Sequence, residues 1–128
     1  MKQRTYYNQR PAEFERDKFR ATIRLDIKEE AKVSGEAFVD ETESTQWSAL
    51  EFNHYEPITQ NLFIELIFTE LYGNDYENKL INEYNAAKME LYPDGEMEQK
   101  ITRYRNFLQE RAAYKAEIER ICNEHNIS

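Results

Sequence analysis

An α+β fold is predicted for this 128-residue chain by two patterns and the order in which they occur. In the first half, Phe19, Ala21, Ile23, Leu25 and Ile27 alternate with Arg20, Thr22, Arg24 and Asp26. A period of two sends one row of side chains into a core and the other into water, as a β-strand does. In the second half, three stretches repeat apolar residues at helical spacing, separated by turn signals at Gly73 and at Pro93, Asp94 and Gly95. Strands in one block and helices in the next imply a sheet with helices packed on it, not alternating βαβ units. The expected architecture is an antiparallel β-hairpin or three-stranded sheet against three helices, the last two forming an α-hairpin. Residues 14–128 make the single domain. Residues 1–13 have no apolar period and are expected as an extended or mobile N-terminal arm.

The elements follow in order. The stretch KEEAK, residues 28–32, reads as a turn, and VSGEAFVDE, residues 33–41, as a second strand with a bulge at Gly35. Residues 46–55, QWSALEFNHY, fit a helix through Trp47 and Leu50 or a strand through Leu50 and Phe52. A strand is preferred, because a lone hairpin is only marginally stable. EPITQNLFIELIFTELYG reads as a helix with Pro57 in its first turn and Gly73 just past its end. Six of the eight residues in NLFIELIF are apolar, so that helix is expected to be buried around most of its circumference. Asn74 and Glu77 have capping-box spacing, ahead of a stripe of Tyr76, Leu80, Tyr84, Ala87 and Leu91. Asp94 then caps a last helix, Glu96 to Asn123, of roughly 42 Å.

That helix carries two apolar stripes. Met97, Ile101, Tyr104, Leu108 and Ala112 form the first, suited to pairing with the preceding helix. Phe107, Tyr114, Ile118 and Ile121 form the second, rotated by roughly 90°. The second stripe is covered either by the sheet and the buried helix or by a partner chain. Nine tyrosines and seven phenylalanines are many for one small core, and aromatic residues are enriched at interfaces. The leading functional expectation is therefore a small intracellular, non-catalytic protein-interaction module. It is expected to self-associate as a homo-oligomer through Phe107, Tyr114, Ile118 and Ile121.

Charge narrows the partners. The net charge of −8 disfavours non-specific binding to duplex DNA or anionic membrane. No apolar run reaches the length of a membrane span, and the N-terminus lacks a signal-peptide apolar region. A single cysteine, Cys122, argues for a reducing compartment, so a cytoplasmic location is expected. Residues 1–24 nevertheless carry a net +4, and the rest of the chain −12. The alternative function is single-stranded nucleic-acid binding, with Arg4, Arg10, Arg20 and Arg24 on phosphates and Tyr6 and Tyr7 stacking on bases. Phe19 is set aside from that group as a core residue of the first strand. A third reading is an acidic mimic of DNA, motivated by Asp40, Glu41 and Glu43, although the last helix alternates its acids with Lys and Arg.

Signatures of catalysis are sparse. There is no G-x-S-x-G, no glycine-rich phosphate loop and no zinc-finger spacing. Glu51 and Glu56 flank His54, an arrangement able to orient an imidazole, yet one commonplace in an acidic protein. Cys122 and His125 share a helix face but make only two metal ligands. No catalytic residue, metal or cofactor is assigned.

Overall fold

The computed structural model describes residues 2–31 and 45–128. The fold is α+β: strands β1 (Thr5–Tyr7), β2 (Phe14–Arg16), β3 (Arg20–Ala31) and β4 (Thr45–Tyr55), then helices α1 (Gln60–Tyr72), α2 (Tyr76–Lys88) and α3 (Asp94–Glu124). All strand pairings are antiparallel, in the order β1-β4-β3-β2. The two long strands occupy the middle and the two short ones the opposite edges. Residues 8–13 carry the chain from one edge to the other. Within the segment expected as an arm, Thr5–Tyr7 pair with Trp47–Ala49 of β4 and so belong to the sheet.

The alternation in β3 decides the core. Ala21, Ile23 and Leu25 face Leu50 and Phe52 of β4, and over them lie Phe63 and Ile67 of α1 and Ile118, Ile121 and Cys122 of α3. Residues 46–55 are strand, as preferred. The KEEAK turn is corrected through Ala31, since β3 continues to that residue; the expected second strand at 33–41 lies outside the described residues. A bulge also interrupts the alternation. Leu25 pairs with Leu50 and Lys28 with Ser48, so Asp26 and Ile27 together oppose Ala49. Asp26 takes φ +52°, a conformation that a short polar side chain tolerates. The extra residue removes Ile27 from the core row and turns Lys28 and Glu30 toward the helical face.

Helix ends differ from expectation in four places, one of them the start of α3, where Pro93 holds the cap position and Asp94 is already the first helical residue. Pro57 precedes α1, and Thr59 is the cap, its hydroxyl accepting from the Leu62 N–H at 3.2 Å. The Asn74–Glu77 capping box does not form; Asp75 occupies the cap position without a side-chain hydrogen bond. The α2 stripe ends earlier than expected, with Leu80 and Ala87 buried and Leu91 beyond the helix. Gly73 ends α1 at φ +74°, as its position implies.

Both α2 and α3 close with a Schellman motif. At α2, Glu90 N–H donates to Ala87 O and Leu91 N–H to Ala86 O, with Glu90 at φ +59°. At α3, Asn126 N–H donates to Asn123 O and Ile127 N–H to Cys122 O, with Asn126 at φ +59°. A left-handed residue with a Cβ is strained by about 1 kcal/mol, less for Asn than for Glu. Glu90→Gly is therefore expected to stabilise the chain by roughly 0.5–1 kcal/mol, read as a higher midpoint in thermal unfolding. An unchanged or lower midpoint would contradict the left-handed assignment at Glu90.

Helix α3, 31 residues and about 46 Å long, does two jobs along its length. Its first half packs on α2, through Tyr84 against Tyr104 at 4.9 Å and Glu83 between Lys100 and Arg103, each at 3.6 Å. Its second half enters the core beneath the sheet. The α2–α3 hairpin consequently projects from the sheet, with the turn at residues 89–93 as its tip.

Candidate functional site

Alternation puts Thr22 and Arg24 on the sheet face opposite the helices, together with Tyr7, Trp47 and Glu51. Residues 8–13 cover part of that face. The Arg10 guanidinium lies 5.8 Å from the Trp47 ring centroid, and Ala12 O accepts from Arg24 at 3.0 Å. Arg24 is buried beneath them, bonded through Nε to Glu51 at 3.0 Å and to the Tyr7 hydroxyl at 3.1 Å, and through Nη2 to Glu15 at 3.1 Å. Tyr7 donates its hydroxyl to Glu51 at 2.8 Å. Burial alone would push the Glu51 carboxyl up, but hydrogen bonds from Tyr7 and Arg24 and the Arg24 charge hold it below its ordinary value. The Tyr7 hydroxyl is pushed up, by burial first and then by its bond to Glu51. This is a structural ion network.

On the helical side, Arg4 donates to Ser48 Oγ at 2.9 Å and to Asp26 Oδ2 at 2.8 Å, which ties β1 to the bulge. Among the residues expected on nucleic acid, Arg4, Tyr7, Arg10 and Arg24 are therefore engaged within the fold. Arg10 is itself exposed, and so are Tyr6 and Arg20, but the last two stand beside Ser48 and Tyr55 respectively, about 23 Å apart along β4. The fold does not gather these six residues on one surface.

The second stripe of α3 is corrected in the same way. Ile118 and Ile121 are wholly buried in the chain's own core, Phe107 is buried against Tyr72 and Tyr76, and Tyr114 packs half-buried at the core's margin. The sheet and α1 supply the cover that the helix sequence left open between them and a partner. At the Phe107 junction the Tyr72 hydroxyl is buried without a hydrogen-bond partner, and burial, then the Glu110 charge, push its pKa well up.

His54 lies against Phe63 at 5.6 Å, on the core face, whereas Glu51 points to the other face and is held by Arg24. Of the two carboxylates expected to orient this imidazole, Glu51 is thus elsewhere. Cys122 is wholly buried, which pushes its thiol up, and His125 stacks on Phe14 at 4.3 Å. Among the described residues no three His, Cys, Asp or Glu side chains converge as a metal site. Asp40, Glu41 and Glu43, the acids behind the DNA-mimic reading, lie outside the described residues. Arg120 is ringed by Glu13, Glu117 and Glu124, so part of the acidic surface is internally neutralised.

Apart from Tyr6 and Leu108, the exposed large apolar residues sit at the two extremities. Phe19, expected in the core, is 62 % exposed, and Tyr55, opposite Arg20 at the same end of the sheet, is 65 % exposed. At the hairpin tip Met89 and Leu91 are 68 % and 67 % exposed. Alternation gave no warning for Phe19, because it runs on past the residues that the helices cover. The exposure of Leu91 was hidden by its fit to the α2 stripe. No protein-family model, curated protein or solved structure matches the chain.

Proposed function

We propose that the chain is a non-catalytic protein-interaction module that self-associates through its α2–α3 hairpin. The observation that carries this reading is the difference between the two Schellman motifs. In this motif the residue after the left-handed position ordinarily folds its apolar side chain back onto the helix. At the end of α3 Ile127 does so and is 4 % exposed; at the end of α2 the equivalent Leu91 stays open, with Met89 open in the same turn. Scattered surface leucines are ordinary, but two large apolar residues in one tight turn at the tip of a projecting hairpin form a small anchor. Removing each from water contributes about 1–2 kcal/mol. The engagement of the basic N-terminal residues within the fold also favours this reading over an arm that grips nucleic acid.

Sedimentation velocity of the intact chain over a wide concentration range tests it. The wild type is expected to show a reversible monomer–dimer equilibrium. Met89→Ser/Leu91→Ser is expected to weaken it by about tenfold or more, with an unchanged thermal midpoint. A wild type that stays monomeric at every concentration would remove self-association.

A further inference from the structure

A cleft of about 450 Å³ opens on one flank of the α2–α3 hairpin, beside its tip. Ala87, Met97 and Ile101 make its floor, Ala87 buried and the other two half-buried. Lys88, Glu90, Glu98 and Arg105, all exposed, make its rim. We propose that this cleft is the seat for the hairpin tip of a second copy. Leu91 and Met89 of each copy enter the cleft of the other. The proposal rests on the self-association reading and adds to it the surface that the tip meets.

The placement of projection and recess suits this exchange. Leu91 N–H donates to Ala86 O, so Leu91 stands about one turn from Ala87 in the cleft floor. Neither Leu91 nor Met89 lines the cleft of its own chain. With a projecting pair and a recess so close together, a two-fold axis lets each copy give one tip and take one, and the contact closes at two copies. The apolar floor also continues along α3, from Ile101 to Leu108 about two turns further on, which is 39 % exposed.

Charge selects a second copy over other partners. The chain carries −8, so two copies repel wherever acid meets acid. The rim has two cations and two anions. The ion pairs within the hairpin join Glu83 to Lys100 and Arg103, and Glu77 to Arg111; among the described residues none uses the four rim charges. A rim of both signs is complementary to itself, because the cations of each copy can meet the anions of the other. An acidic or a basic peptide would satisfy only half of it, and a nucleic acid would be repelled by Glu90 and Glu98. The contact is small beside the roughly 1,200–2,000 Å² of a stable complex, so the dimer belongs to the weak, transient class.

Sedimentation equilibrium of charge-reversed chains tests the seat, once circular dichroism has shown that each variant keeps the wild-type thermal midpoint. Lys88→Glu/Arg105→Glu makes the rim wholly acidic, and Glu90→Lys/Glu98→Lys makes it wholly basic. Each alone is expected to dimerise about tenfold more weakly than the wild type, and an equimolar mixture to recover wild-type association as a heterodimer. Cross-linking locates the contact, because Thr102 also lines the cleft. Leu91→Cys and Thr102→Cys proteins, mixed under a mild oxidant, are expected to join each other faster than either joins itself. Cys122 is wholly buried and does not compete. Variants that dimerise like the wild type, a mixture no stronger than its components, or no link between residues 91 and 102 overturn the cleft as the seat and leave self-association through the tip standing. Assembly beyond two copies overturns the two-fold exchange. A wild type that is monomeric at every concentration overturns both, so a failure of the cleft is distinct from a failure of the module.

Discussion

Ile118→Asp is expected to unfold the chain, not to release a partner from a folded one. Ile118 is wholly buried and belongs to the cluster that joins the sheet, α1 and α3. The substitution loses apolar burial and places a charge among the apolar side chains of that cluster. Together these cost several kcal/mol, comparable with the 5–15 kcal/mol that holds a typical domain together. Far-UV circular dichroism on heating should lose its cooperative transition. Ile118→Val, which removes one methylene, should instead cost about 1 kcal/mol and retain the transition. A folded Ile118→Asp protein with a native midpoint and altered sedimentation would return Ile118 to an interface and contradict its place in the core.

The contrast between Ile118 and Leu91 shows what the sequence can and cannot carry. Both α3 stripes are visible as helical periods, and the α-hairpin follows from the first of them. What covers the second depends on a sheet some 70 residues away, and no feature of the helix distinguishes that sheet from a partner. The same limit applies to β1 and β2. Strands of three residues are too short to show a period, and their pairing is fixed by distant contacts such as Arg4 with Ser48 and Asp26. At β3 the two-residue alternation is read correctly from Ala21 to Leu25 and fails at both ends. It fails at Ile27 because a bulge inserts a residue, and at Phe19 because the chain has already left the covered part of the sheet. Arg24 is the sharpest case. Its place in the polar row is legible, but the crossing of residues 8–13 that buries it is not.

Burial makes Arg24 the residue where a single polar change should matter most. Arg24→Met keeps the aliphatic bulk and removes one donor each from Glu51, Glu15, the Tyr7 hydroxyl and Ala12 O. Breaking a buried ion network from one side costs about 3–5 kcal/mol; the partial exposure of Glu51 and the greater exposure of Glu15 place this one nearer 2–4. A loss of that size lowers the thermal midpoint by roughly 10 °C in a domain of this length. Arg24→Met/Glu51→Met should recover much of it, because the uncompensated charge is then gone. The pH dependence gives a second readout with a defined sign. In the wild type the Glu51 carboxyl is depressed, so its contribution is present above its unfolded value and is lost as pH falls through the folded one. Without Arg24, burial of Glu51 is opposed only by its hydrogen bonds from Tyr7 and Asn53, and the folded value rises. Acidification from neutral pH toward about 4 should therefore protonate Glu51 earlier in the variant and narrow the stability gap between the two proteins. A gap that is constant or widens over that range would show that Arg24 does not act through the Glu51 charge. Its role would then reduce to donating to Ala12 O, and the cover of residues 8–13 over the sheet would rest on that bond and on the Arg10–Trp47 contact.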